Sequence, residues 1–288
     1  MTHNYRIAGI NIAITTATET YFKNNLDAYK ISSEIPVTHT LKTLITDDLS
    51  VPEGTIIATH KNRETRLTNT HEITIAYDTN DQVKTIIACR LDFKEVTISL
   101  VKHRHKNLDE QEYLLTGMFF LEMALLEGKL AIHASAIEYN NHALLFSANS
   151  GVGKTTHRKY WQENFNVRII NDDKPLLYKQ RNQWVVSGTP WSGKETINTN
   201  ITVPLKAIIF IEQSHSNKVY QTPQKDRLKR VMNHTLRPRN HILLEPSIAL
   251  MDDLIQTAPM YHAHLTHSAQ SVQPIYDILF KGEPHVKD

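Results

Sequence analysis

The sequence predicts a mixed α/β protein, with a small, mostly β amino-terminal region over 1–107 and an α/β domain over 108–288. Three observations carry that expectation. Short strand-like runs, separated by clusters of Asn, Asp, Thr and Lys, fill the chain as far as about residue 102. Beyond the basic stretch 103–107 the pattern changes to alternating strand and helix. Finally, the apolar run Ala143-Leu144-Leu145-Phe146 leads directly into Ala148-Asn149-Ser150-Gly151-Val152-Gly153-Lys154-Thr155, a turn of small residues that opens onto helix-compatible residues from Thr156 to 165.

Taken in order, strands are expected over 5–14, 72–77, 83–91 and 96–101, with a helix over 17–28 and loops at Pro36, Pro52 and Gly54. A long apolar helix starts near Asp109. Residues 130–139 read as one strand, and Asn140-Asn141 as the two-residue turn of a hairpin into 143–146. Further strands are expected over 167–170, 175–178, 184–186, 206–211 and 261–266, with helices over 225–236, 247–257 and 272–280.

Lys+Arg 32 against Asp+Glu 30, with both signs scattered along the chain, argue against nucleic-acid and membrane-surface partners. Cys89 is the only cysteine, so no internal disulfide can form, and a reducing, cytoplasmic setting is expected. The helix over 113–126 carries Glu122 and is shorter than the roughly 20 apolar residues a bilayer needs. His262, His264 and His267 alternate as on one strand face, but no Cys or carboxylate pattern near them in sequence completes a metal site.

The chemistry concentrates around the small-residue turn. Backbone amides of Asn149, Ser150, Gly151, Val152, Gly153, Lys154, Thr155 and Thr156 are expected to cradle ATP phosphates, with Lys154 on the terminal phosphates and the Thr155 hydroxyl on Mg2+. About 20 residues on, a short β run ends in Asn171-Asp172-Asp173. Phosphoryl transfer needs a cation ligand and a base, so Asp173 is expected beside the metal with Thr155, and Asp172 to take the acceptor proton. An Asx turn into Lys174-Pro175 is the structural alternative for the pair. His133 faces either the transferred phosphoryl group or a core hydrogen bond. Ser192 and Lys194, in the cluster Gly188-Thr189-Pro190-Trp191-Ser192-Gly193-Lys194, form a candidate substrate loop or a packed turn, and Arg237 either reaches phosphate or is solvated.

His133-Ala134-Ser135-Ala136, the 148–155 turn, the Asp pair and the 188–194 cluster occur in an order and spacing that resembles the catalytic domain of HPr kinase/phosphorylase, a group allied in fold to phosphoenolpyruvate carboxykinase. The likeness spans about residues 110–280. It implies a P-loop kinase core that uses ATP and Mg2+, with His133 and Asp172 near a target serine and Asp173 near the metal. In place of the family's Leu-Glu-Ile-Arg-Gly-Leu-Gly type signature the chain carries Trp-Ser-Gly-Lys, which points away from HPr and towards divergent relatives such as the lasso peptide kinases. The implied partner is a peptide, a small protein or a small molecule bearing a hydroxyl. Homo-oligomerisation is implied by resemblance alone. A nucleotide-dependent switch ATPase and a carboxykinase are the competing readings.

Overall fold

The computed structural model describes residues 2–149, 151–192, 197–238 and 240–281. The chain is mixed α/β and forms two compact units, Met1–Ala124 and Leu125–Asp288.

In the first unit, β1 (Thr2–Ile7) and β2 (Ile10–Thr15) form an antiparallel hairpin, so the single strand expected over 5–14 is in fact two. Ala8 and Gly9 turn the chain with φ of 49° and 82°, the left-handed backbone that such a tight reversal needs. The helix expected over 17–28 shrinks to α1 (Phe22–Leu26) and a 3-10 turn. Its first residues are engaged elsewhere: the amides of Ala17 and Thr18 donate to Glu112 at 2.7 and 2.8 Å. Strands β3 (His39–Thr46), β4 (Thr55–His60), β5 (Arg63–Leu67), β6 (His71–Tyr77), β7 (Val83–Arg90) and β8 (Glu95–Val101) complete a sheet ordered β1-β2-β3-β8-β7-β6-β5-β4. Ile12, Ile14, Leu41, Ile75, Ile98 and Leu100 supply its buried apolar residues. Helix α2 (Leu108–Leu126) follows, and its Glu112 is wholly buried.

In the second unit the strand expected over 130–139 is broken. Leu130–Ala131 (β9) and Ser135–Tyr139 (β10) are separate strands, because the amides between them bond two other segments, 173–175 and the end of α4. Ile132 N donates to Pro175 O, His133 N to His234 O and Ala134 N to Asp173 O. The Asn140-Asn141 turn, with φ of 49° and 59°, then joins β10 to β11 (His142–Ser147). Next come α3 (Lys154–Asn164), β12 (Arg168–Asn171), β13 (Leu176–Gln180), β14 (Gln183–Ser187), β15 (Thr202–Gln213), β16 (Lys218–Gln221), α4 (Gln224–His234), α5 (Leu244–Thr257), β17 (Met260–Leu265) and α6 (Gln273–Leu279). The order is β12-β10-β11-β15-β14-β13-β9, with β17 on β15 and β16 on β17.

Strands β11, β15 and β17 run parallel, which brings their carboxyl ends to one edge. Ligand sites in open α/β sheets form at that edge. Phe146, Ile209, Ala263, Trp161, Ile275 and Phe280 pack into one apolar core beneath it. Burying a large side chain of this kind contributes ~1.5–3 kcal/mol, so the edge rests on a rigid base. Among the described residues no helix is long and apolar enough to cross a membrane.

Candidate active site

Strand β11 ends at Ser147 and α3 begins at Lys154, so residues 148–153 turn between a strand end and a helix start. Gly151 and Gly153 have φ of 81° and 110°, a backbone that a side chain resists, which explains glycine at both places. The Val152 amide donates to Asn149 O at 3.2 Å and closes the turn. Lys154 folds back over it, its Nζ donating to Ala148 O at 3.0 Å. Burial lowers the Lys154 pKa, while the charges of Asp173 and Asp172 pull it upwards. The same two carboxylates therefore lie within electrostatic reach of the loop lysine. Thr156 is half-buried in the first turn of α3. Ser150 lies outside the described residues.

The carboxylates arrive from the end of β12. Asn171 makes the turn: its Oδ1 accepts the amides of Asp173 at 2.9 Å and Lys174 at 2.7 Å. The Asx turn weighed from sequence is thus present, with Asn171 as its side chain, and it aims the two acids in different directions. Asp172 Oδ2 accepts from Thr155 Oγ1 at 3.3 Å, and Asp172 Oδ1 accepts from Ser135 Oγ. Arg158, itself 1% exposed, places Nε 3.4 Å from the same oxygen. Asp173 Oδ1 instead faces His133 Nδ1 at 2.8 Å, and Oδ2 accepts from Lys174 Nζ at 2.8 Å. Burial pushes the Asp173 carboxyl up, but the His133 hydrogen bond and the Lys174 ammonium outweigh it and hold the group below its ordinary value.

His133 has a side chain 46% exposed, held by its backbone between two elements: its amide donates to His234 O at 2.6 Å and its carbonyl accepts from Ser147 Oγ at 2.9 Å. A carboxylate at Nδ1 favours the tautomer with the proton there, leaving the Nε2 lone pair turned away from Asp173. His234, which sequence reasoning did not single out, stacks on Phe210. Burial, then the charges of His133, Lys154 and Arg230, push its pKa down to about 4. No local signal marks it, because only the α4 end brings it there.

Two hydrogen-bonded pairs, Thr155 with Asp172 and His133 with Asp173, therefore stand at adjacent residues of one turn, with Lys154 alongside. The expected substrate loop is arranged differently. Ser192 is wholly buried and accepts from Asn198 Nδ2 at 3.3 Å. Trp191 is buried, and Asn171 Nδ2 donates to Thr189 O at 2.8 Å, tying this turn to the acids as packing. Arg237 is exposed after α4, and Lys194 lies outside the described residues.

A cleft of about 490 Å³ opens beside Ala148, Asn149 and Val152, reaching Glu212, Arg230 and His262. That volume is in the range of small-molecule sites.

No known protein family matches the chain, and no curated protein does. Among solved structures it is similar to the Hpr(Ser) kinase/phosphatase from Coxiella burnetii, at 10% sequence identity over 44% of this chain and 91% of that chain, with a TM-score of 0.25.

Proposed function

We propose that the chain is an ATP-dependent, magnesium-requiring kinase that transfers the γ-phosphoryl group to a hydroxyl, with a serine of a peptide or small protein as acceptor. One observation carries this reading: a glycine-bearing helix-entry turn with Lys154 and Thr155 stands beside two adjacent carboxylates, Asp172 bonded by Thr155 and Asp173 bonded to His133. The donor set fits magnesium. Thr155 Oγ1 and Asp172 Oδ2 lie 3.3 Å apart, near the roughly 3.0 Å edge of an octahedron with metal–oxygen bonds of about 2.1 Å. A magnesium ion held there would neutralise charge on the phosphates.

The same contacts favour an exchange of the two acids' expected roles, with Asp172 on the cation side and Asp173 on the proton side. Asp173 orients His133 as a carboxylate orients a catalytic imidazole. The acceptor hydroxyl gives its proton to His133 Nε2 while its oxygen bonds the γ phosphorus and the bond from phosphorus to the ADP oxygen breaks. Lys154 holds the terminal phosphates throughout. The second reading is a small-molecule acceptor, favoured by the cleft beside Ala148 and Asn149.

The test is phosphoryl transfer from radiolabelled ATP, with nucleotide affinity measured in parallel. Asp173→Asn is expected to lower kcat with ATP affinity kept, and Asp172→Asn to raise the Mg2+ concentration needed for half-maximal rate. Native protein that binds no ATP overturns the proposal. If Asp172→Asn lowers kcat at saturating Mg2+ while the Mg2+ concentration for half-maximal rate is unchanged, and Asp173→Asn raises that concentration instead, the exchange of roles is wrong.

A further inference from the structure

At the far side of the cleft, three strands assemble a second cluster. The register of β15 and β17 sets Glu212 opposite His264, and His262 lies on the same face two residues earlier. The sequence offered no carboxylate near these histidines. Strand pairing supplies one from a distant segment. One ligand atom each from Glu212, His262 and His264 lie within 4.8 Å of one another.

The cluster's orientation is specific. His262 Nε2 is 3.3 Å and His264 Nδ1 3.9 Å from Glu212 Oε2, so one nitrogen of each ring turns to the same carboxylate oxygen. The opposite nitrogens share a single partner: Tyr220 Oη is 3.2 Å from His262 Nδ1 and 3.3 Å from His264 Nε2. A phenol oxygen has two lone pairs and can accept both N–H bonds. A ligating histidine almost always donates its other N–H to an oxygen of this kind, which fixes the ring and its tautomer. Ligands about 2.1 Å from a tetrahedral ion stand about 3.4 Å apart, a spacing that the Glu212–His262 pair already has at 3.3 Å and that the partly exposed His264, at 3.9 Å, reaches by closing in.

We propose that Glu212, His262 and His264 bind a divalent transition-metal ion of the zinc or cobalt type, with a fourth position open to the cleft. Two imidazoles and one carboxylate suit such an ion better than magnesium or calcium, which take oxygen ligands. This site is separate from the Thr155–Asp172 pair and does not depend on the kinase reading. Arg230 is the competitor: its Nη2 donates to Glu212 Oε1 at 2.9 Å and lies 2.8 Å from His262 Nδ1. Nη2 also lies 3.3 Å from His262 Nε2, so metal binding requires the guanidinium to leave both ring nitrogens, and Nδ1 must then carry its proton to Tyr220.

Titration of the full chain with Co2+, followed by visible absorption with Mg2+ in excess, tests the site. The expected result is one tetrahedral Co2+ per chain, with affinity lowered at least about tenfold in His264→Ala and in Glu212→Gln, and unchanged in Asp172→Asn. His264 is partly exposed, its side chain 34% accessible, so this variant tests the site without opening the core. Arg230→Met is expected to bind Co2+ more tightly, by about tenfold, because the competing cation is gone. Absence of stoichiometric Co2+, or binding that survives His264→Ala and Glu212→Gln unchanged, overturns the proposal.

Discussion

Glu112 in the first unit and Asp173 in the second are both carboxylates taken largely out of water, yet their partners differ in kind. Glu112 is saturated by the amides of Ala17 and Thr18 and the Thr18 hydroxyl, groups that can only hold it still. Asp173 is held by His133 and Lys174, side chains that can themselves move protons or charge, one of them nearly half exposed. Burial is common to both acids; what differs is the identity and exposure of their partners, the feature by which a chemical role for Asp173 can be tested.

The comparison breaks first on rate. Asp173→Asn is expected to lower phosphoryl transfer by about 10²–10⁴-fold, because His133, the base, loses the carboxylate that orients it, with little change in Tm. Glu112→Gln is expected to do the reverse, costing about 1.5–3 kcal/mol of stability for lost charge-assisted bonds while the folded fraction keeps its rate. Parallel kinetics and thermal melts would show whether the two acids separate in this way. If Glu112→Gln loses activity at full stability, the distinction fails.

Packing around the acids comes next. A Cβ on Gly188 would stand 2.0 Å from Thr199 O and 2.7 Å from Ile170 O, both backbone atoms. Gly188→Ala is therefore expected to destabilise by at least about 3 kcal/mol, read as a fall in the urea midpoint. Wild-type stability in this variant would mean the strand end beneath the acids is looser than described.

Acid sharpens the comparison further. Burial pushes His157 down to about 3, and burial with neighbouring cations pushes His234 down to about 4. Both take protons more readily when unfolded, at about 6.5, so the unfolded state gains protons as pH falls below that value. Stability is therefore full above about pH 6.5 and is lost progressively towards pH 4. Calorimetric Tm is expected to drop by about 5 °C or more between pH 7 and pH 4.5, less steeply in His157→Gln. The smallest effect belongs to the exposed pair Lys30–Asp27, 2.7 Å apart. Lys30→Ala is expected to change stability by less than about 1 kcal/mol.

Much of this was visible in the residues, and what was hidden had a physical reason. The Asn140-Asn141 hairpin, the short β run before the acids and the helix after the glycine turn are local signals, and each stands where local chemistry demands it. Strand β3 escaped because only Leu41 among its three buried residues His39, Leu41 and Thr43 is apolar, so alternation is weak. Strand β4 is exposed on both faces and shows no pattern at all. The break at 132–134 was invisible because its amides bond Pro175, His234 and Asp173, partners no window of sequence contains. Glu212 beside His264 is the same lesson, since register between distant strands is not written locally.

Arg158 sits on α3 one turn beyond Lys154 and Thr155, with its Nε against Asp172. The helix that opens at the glycine turn is thereby geared to the acid across from it. A tilt of that helix would therefore be felt at Asp172 through a buried guanidinium, so the start of α3 and the acid would shift together.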